Sequence, residues 1–213
     1  MPKLELQLNL PNQLTLLRVI LTPVFVVLLL SNDPLAMQIS LAVFVIAALT
    51  DWYDGWAARK TGSISRGGKF LDPLADKVLS SAALLSYVWL GLIDGWMVWT
   101  VIFRDFLITG LRTYAEYRDQ PIVTSKGAQA KTFGQFVVIY YILILHVGRS
   151  IPLVYREFGR TIDVLMAPQV LFGMMLLVTI STVGTGVAYL FDNRKFLREL
   201  YGTIRAARER RRV

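Results

Sequence analysis

Apolar runs separated by short polar breaks occupy most of the chain. Six of them, at residues 12–30, 35–58, 70–92, 96–114, 133–147 and 164–191, are long and carry few charges. A helix needs roughly 20 apolar residues to cross the hydrocarbon core of a bilayer, and most of the six approach or exceed that length. The fifth does so only if residues 127–132 continue its helix. Helix is the default reading because backbone groups in lipid must be bonded within the segment. The breaks carry turn chemistry, as in Ser31-Asn32-Asp33-Pro34, Thr61-Gly62-Ser63, Arg66-Gly67-Gly68, Asp94-Gly95 and Asp119-Gln120-Pro121. The pattern predicts an all-α integral membrane bundle of six transmembrane helices. It forms one domain over residues 1–213, with a juxtamembrane segment at 1–11 and a basic tail at 194–213.

Composition agrees with that pattern. Apolar residues make up 54% and charged residues 18%, where a soluble domain carries about a quarter charged. The formal charge is +8, from 23 Lys and Arg against 15 Asp and Glu. In so apolar a chain this surplus points to an anionic membrane surface rather than to nucleic acid. Cysteine is absent, which removes disulfides, thiolate metal sites and a Cys nucleophile. The one histidine, His146, removes any mechanism that needs two, and its place near the far end of the fifth run suggests a structural role. Residues 1–10 lack the apolar core of a cleavable signal peptide.

The basic residues also predict orientation. With six spans, Lys3, Arg59, Lys60, Arg66, Lys69, Arg112, Arg118, Lys126, Lys131 and the run from Arg194 to Arg212 fall on one side. The other side has only Arg149, Arg156 and Arg160, all in its third loop. The positive-inside rule puts both termini in the cytoplasm, in a multi-pass protein of the inner (cytoplasmic) membrane whose tail meets anionic lipid. Trp52, Trp56, Trp89, Trp96 and Trp99 sit where an interfacial aromatic belt would lie, and Gly173, Gly184, Gly186 and Ala188 suit close packing of the last span.

Charge inside a span is costly and marks function by default. Here it is concentrated. The second run ends in Asp51-Trp-Tyr-Asp54-Gly55-Trp-Ala-Ala58-Arg59, and the third opens with Gly68-Lys-Phe-Leu-Asp72-Pro-Leu-Ala-Asp76. Spacings of three and four place each set on one helix face, and a hairpin would bring the faces together. Four convergent carboxylates need cations. Hard oxygen ligands without Cys or clustered His select Mg²⁺ or Mn²⁺, and two such ions suit displacement at phosphorus. Gly55 and Gly68 leave room for a ligand, and Arg59 offers a fork to phosphate. The alternative is a set of structural ion pairs with Arg59, Lys60, Arg66, Lys69 and Lys77. The ordered spacing favours a two-metal site acting on a phosphorylated, membrane-resident substrate.

The pattern D-x2-D-G-x2-A-R-x8-G-x3-D-x3-D is complete at Asp51, Asp54, Gly55, Ala58, Arg59, Gly68, Asp72 and Asp76. It resembles the signature of the CDP-alcohol phosphotransferase family (class-I CDP-alcohol phosphatidyltransferases). That resemblance implies transfer of a phosphatidyl group from CDP-diacylglycerol to an alcohol, with release of CMP. It further implies that Asp51, Asp54, Asp72 and Asp76 hold two metal ions and that Asp76 is also the catalytic base. Gly55, Ala58, Arg59, Ser65 and Gly68 would contact the CDP-diacylglycerol, and a homodimer is implied.

Other segments resemble the phosphatidylglycerophosphate synthase branch of that family. The opening Asn9-Leu-Pro11-Asn12-Gln-Leu-Thr15-Leu-Leu-Arg18 is one, with Asn12 and Thr15 as nucleotide contacts or, alternatively, Asn12 as a helix N-cap. Arg104-Asp105-Phe-Leu-Ile-Thr109-Gly110-Leu111-Arg112 is similar to the branch segment R-[ED]-x3-[TS]-G-[LI]-R, and Arg104 and Asp105 invite pairing with each other or with neighbours. The segment from Lys126 to Thr132 resembles G-K-x-K-T. The branch implies glycerol 3-phosphate as acceptor, its phosphate held by Arg112, Arg118, Lys126 and Lys131. Sister enzymes taking inositol phosphate, serine or phosphatidylglycerol are the nearest alternative. A non-catalytic divalent-cation-binding membrane protein is more remote, because transporter sites concentrate near the bilayer midplane and these acids lie at span ends.

Overall fold

The computed structural model describes residues 10–61, 68–118, 126–194, 196–198 and 202, with the side chains at 10–12, 51–74, 76, 116, 117 and 126 left aside. Seven helices follow one another: α1 (Leu10–Leu29), α2 (Pro34–Thr61), α3 (Gly68–Trp89), α4 (Gly95–Tyr117), α5 (Lys126–Ser150), α6 (Pro152–Leu165) and α7 (Pro168–Asp192). No strand occurs among the described residues.

Local chemistry sets several boundaries. Asp33 caps α2, accepting hydrogen bonds from the backbone N–H groups of Leu35 and Ala36, with Pro34 in the first helical position. Gly91 ends α3 with φ +70, and the Leu92 N–H reaches the Tyr87 carbonyl at 2.9 Å while the Gly91 N–H reaches that of Val88. This paired closure needs a left-handed residue, which glycine supplies without strain. Helix α1 already runs through Asn12, which overturns the N-cap reading of that residue.

Helix α5 is continuous across residues 127–132, so the fifth run reaches spanning length. The region between the fifth and sixth runs is not a plain loop. It contains α6, which buries Gly159 and Ile162 against the bundle and exposes Arg156, Glu157, Arg160 and Asp163. Pro168 then opens α7, so the last run begins four residues later than the apolar pattern alone suggests, once Val164 to Ala167 are given to α6 and its exit.

Contacts fix the register. Phe25 of α1 meets Phe44 of α2 at 5.0 Å between ring centroids, and Phe44 meets Tyr140 of α5 at 5.2 Å. The Tyr87 hydroxyl donates to the Ile139 carbonyl across α3 and α5 at 2.8 Å. Lys77 with Asp105 and Val88 with Gly95 run α3 against α4, whereas Lys77 and Lys131 share Asp105 and Tyr87 meets Ile139, so α3 and α5 run in the same chain order. Chain direction therefore alternates. One end of the bundle gathers the starts of α1, α3 and α5 with the ends of α2, α4 and α7.

The outer faces are apolar: Val27, Phe103, Phe133, Leu177 and Phe191 are all exposed. Surfaces of that kind call for a non-aqueous neighbour. Among the described residues, two helices are long and apolar enough to cross a membrane, at Gly127–Ser150 and Pro168–Asp192. Trp89, Trp96 and Trp99 are exposed together around the turn between α3 and α4.

Candidate active site at one end of the bundle

Helix α2 stays helical through Asp51, Asp54, Gly55, Ala58 and Arg59, and α3 is already helical at Gly68, Asp72 and Asp76. The backbone therefore carries the two halves of the acidic pattern on consecutive helices, at the end where α2 finishes and α3 begins. The side chains of these residues, together with Asn12, Lys126 and the whole of Ser65, lie outside the described residues. Among the described residues no three potential metal ligands cluster. The chemistry of the expected donor set, four carboxylates on two adjoining helix ends, suits a pair of hard divalent cations.

Around this end the described side chains form an unusually polar interior. Arg18 of α1 is fully buried, and its Nε–H points to the Ala47 carbonyl at 3.4 Å. Ala47 precedes Asp51 by one helical turn, so a buried guanidinium stands one turn from the first aspartate position. Thr15, three residues earlier on α1, is also buried. Thr15 is one of the expected nucleotide contacts, whereas the sequence pattern assigned Arg18 no role. The signal was present, since an arginine inside an apolar run is costly unless it has work to do.

Asp105 of α4 is the centre of a second cluster. Lys131 of α5 donates from Nζ to Asp105 Oδ1 at 2.6 Å and to Gln135 Oε1 at 2.7 Å. Lys77 of α3 lies 3.4 Å from Asp105 Oδ2, and Arg104 lies 3.3 Å from Oδ1. The Asp105 and Lys131 side chains are 2% and 0% exposed. One carboxylate thus ties three helices together through three cations. Desolvating such charges costs several kcal/mol per ion and is offset only by close, hydrogen-bonded geometry of this kind. Lys77 directly follows Asp76, so the cluster adjoins the acidic pattern along α3.

Of the four cations expected to hold an acceptor phosphate, Lys131 is inside this cluster, while Arg112 is exposed in the last turns of α4 and Arg118 is exposed just past its end. Arg104 donates from Nη2 to Thr185 Oγ1 of α7 at 3.0 Å. Its stem lies against Gly186, where an added Cβ would stand 3.1 Å from Arg104 Cγ. Of the three glycines expected to serve close packing, Gly186 does so, and Gly173 and Gly184 have open space where a Cβ would project. His146 is on α5 roughly four turns beyond Lys131, away from both clusters, and its ring nitrogens have no hydrogen-bond partner among the described residues.

Comparison with known proteins bears on the same residues. The sequence profile of the family described as CDP-alcohol phosphatidyltransferase matches residues 8–181. The chain is similar to a Bacillus subtilis (strain 168) protein named CDP-diacylglycerol–glycerol-3-phosphate 3-phosphatidyltransferase, with 37% identity over 148 residues, 64% of this chain and 77% of that protein. Proteins of the same name from Rickettsia bellii (33% identity; 67% of this chain, 79% of the relative) and Salmonella typhimurium (38%; 65% and 78%) are similar over comparable lengths.

Proposed function

Because this chain belongs to the CDP-alcohol phosphatidyltransferase family, we propose that it transfers the phosphatidyl group of CDP-diacylglycerol to sn-glycerol 3-phosphate, forming phosphatidylglycerol phosphate and CMP. The observation that carries this reading is the joining of the complete acidic pattern, on the end of α2 and the start of α3, to the buried cation cluster on Asp105.

The reaction is a displacement at phosphorus. A hydroxyl oxygen of glycerol 3-phosphate bonds to the phosphorus that carries diacylglycerol, the bond from that phosphorus to the CMP oxygen breaks, and the hydroxyl proton leaves to a base. Asp51, Asp54, Asp72 and Asp76 would hold two Mg²⁺ or Mn²⁺ ions, which supply charge stabilisation to attacking and leaving oxygens. Asp76, last of the four along the chain, accepts the proton. Gly55 and Gly68 let the diphosphate approach the backbone. Arg59 pairs with its oxygens, and Asn12, Thr15, Ala58 and Ser65 line the cytidine side.

Arg112, Arg118, Lys126 and Lys131 provide positive charge for the acceptor's phosphate. Asp105 holds Lys131 and Lys77 in place. An acceptor with two negative charges is drawn to a cluster in which three cations face one carboxylate.

The remaining parts of the proposal follow from the fold. Six helices, α1 to α5 and α7, span the inner membrane. Both termini and the acidic pattern then face the cytoplasm, the basic tail lies on anionic lipid, and α6 rests at the opposite interface. The enzyme works as a homodimer. The deciding experiment is an assay of the purified protein in detergent with CDP-diacylglycerol, Mg²⁺ and a panel of acceptors. CMP release that depends on glycerol 3-phosphate is expected. CMP release with inositol phosphate, serine or phosphatidylglycerol, and none with glycerol 3-phosphate, would replace the acceptor.

A further inference from the structure

Beyond the pattern residues, the wall between α4 and α7 contains two buried polar groups without a hydrogen-bond partner among the described residues. Tyr189 is 8% exposed, and its hydroxyl has no hydrogen-bond partner among the described residues. Arg104 uses Nη1 on Asp105 and Nη2 on Thr185, yet its Nε–H is likewise buried and has no partner among the described residues. The two groups are neighbours along the helices. Arg104 lies against Thr185 and Gly186, and Tyr189 is one turn beyond Thr185 toward the acidic end. The charges that act on the Tyr189 hydroxyl are those of Arg112 and Arg104. The hydroxyl therefore lies within electrostatic reach of both arginines.

Buried donors without partners are rare in folded proteins and call for an explanation. Here the unused donors, Arg104 Nε–H and Tyr189 O–H, adjoin a group of three cations that shares one carboxylate. The complement to such a surface is a compact anion rich in acceptor oxygens. We propose that Tyr189 and Arg104 form the α7 side of the pocket that takes the phosphate monoester of the acceptor, with the Tyr189 hydroxyl donating to a phosphate oxygen. Gly186 is part of the same device. Its missing side chain leaves the lane in which the Arg104 stem runs, so that the guanidinium can reach both Asp105 and the pocket. Both Tyr189 and Gly186 lie on α7 past residue 181, the last residue that the family profile matches.

The inference rests on the acceptor reading given above, and the experiment separates the two. Tyr189→Phe removes one oxygen and leaves the ring. In the metal-supplemented enzyme its KM for glycerol 3-phosphate should rise about tenfold, the loss expected for one hydrogen bond to a charged group. The KM for CDP-diacylglycerol, kcat and the melting temperature should stay within about twofold or unchanged. Inorganic phosphate should compete with glycerol 3-phosphate in wild type and about tenfold less well in Tyr189→Phe. Gly186→Ala, which crowds Arg104, should show the same selective rise. An acceptor KM unchanged in Tyr189→Phe, or both substrates weakened equally, overturns the assignment. If wild type releases no CMP with glycerol 3-phosphate, the acceptor reading has failed. Calorimetric binding of inorganic phosphate to wild type and Tyr189→Phe then still judges the pocket, with equal affinity counting against it.

Discussion

Lys131 Nζ stands 2.6 Å from Asp105 Oδ1 with both side chains shut away from solvent, so the shortest ion pair among the described residues joins α4 to α5 in the interior. Asp105→Asn would leave Lys77, Arg104 and Lys131 without the carboxylate that all three share. Removing one partner of a buried pair costs about 3–5 kcal/mol. The expected result is a marked fall in melting temperature and a weakened acceptor KM. Lys131→Met added to Asp105→Asn should restore part of the melting temperature and none of the acceptor affinity. Full stability of Asp105→Asn would show that the pair is incidental.

Activity should require Mg²⁺ or Mn²⁺ and vanish on chelation, because the four acids of the pattern are hard oxygen ligands with no soft donor nearby. Asp51→Asn or Asp72→Asn should cut turnover by orders of magnitude while the melting temperature of the chain is retained. Undiminished CMP release in excess EDTA would reject metal dependence outright.

Arg112 is exposed near the end of α4 and makes no ion pair among the described residues, in contrast with Lys131. Arg112→Ala should therefore raise the KM for glycerol 3-phosphate far more than that for CDP-diacylglycerol, with little change in stability. Losing one partner of a desolvated charge contact costs about 2–5 kcal/mol once substrate is bound. Equal effects on both substrates would move Arg112 to the nucleotide side.

Asp76→Asn keeps the shape and one ligand oxygen of the side chain and loses the base. Binding of CDP-diacylglycerol should persist, and transfer should fall by at least ~10²-fold. A variant that binds normally and keeps more than about a tenth of wild-type turnover would take the proton-accepting role away from Asp76.

At the opposite end of the bundle, Asp163 accepts hydrogen bonds from the Tyr155 hydroxyl at 2.9 Å and from Arg149 at 2.8 Å. The hydrogen bond from the phenol to Asp163, and then the charge of that carboxylate, push the Tyr155 phenol above its ordinary value. A raised pKa means that the neutral phenol is the form the fold favours. The tie is intact below about pH 10 and is lost as pH rises through the higher folded value. Ultraviolet titration should show Tyr155 ionising later than a free phenol, and Asp163→Asn should bring it back. A normal titration in the intact protein would show that the contact does not persist in solution.

How far the sequence discloses this protein depends on the range of each signal. The runs that became α1 to α5 and α7 were legible because length and apolarity are local properties, and the acidic pattern was legible because its spacing lies within two helix ends. Helix α6 was hidden by Arg156, Glu157, Arg160 and Asp163, which interrupt any apolar count, although Ile162 and Gly159 repeat at helical spacing on its inner side. The partners of Asp105 were not legible. Lys131 is 26 residues away and Lys77 is 28, and no periodicity reports which side chains meet across helices. Lys131 was legible as a cation on the expected phosphate-facing side, but its tie to the Asp105 carboxylate was not. Tyr189 gave no signal at all, since a tyrosine near the end of an apolar helix reads as an interfacial anchor.

The Asp105 cluster also constrains how the chain can be made. In the six-span arrangement proposed above, α4 emerges from the ribosome with Arg104 and Asp105 midway along it. Each charge at the centre of a lone helix in lipid costs roughly 2.5–3.5 kcal/mol. Lys77 is already present on α3, but the closest partner is Lys131, synthesised 26 residues after Asp105. Until that lysine arrives, α4 is a poor lipid-phase segment, better retained beside the protein-conducting channel. Release of the third, fourth and fifth helices into the bilayer then becomes a single concerted event, timed by translation of the start of α5.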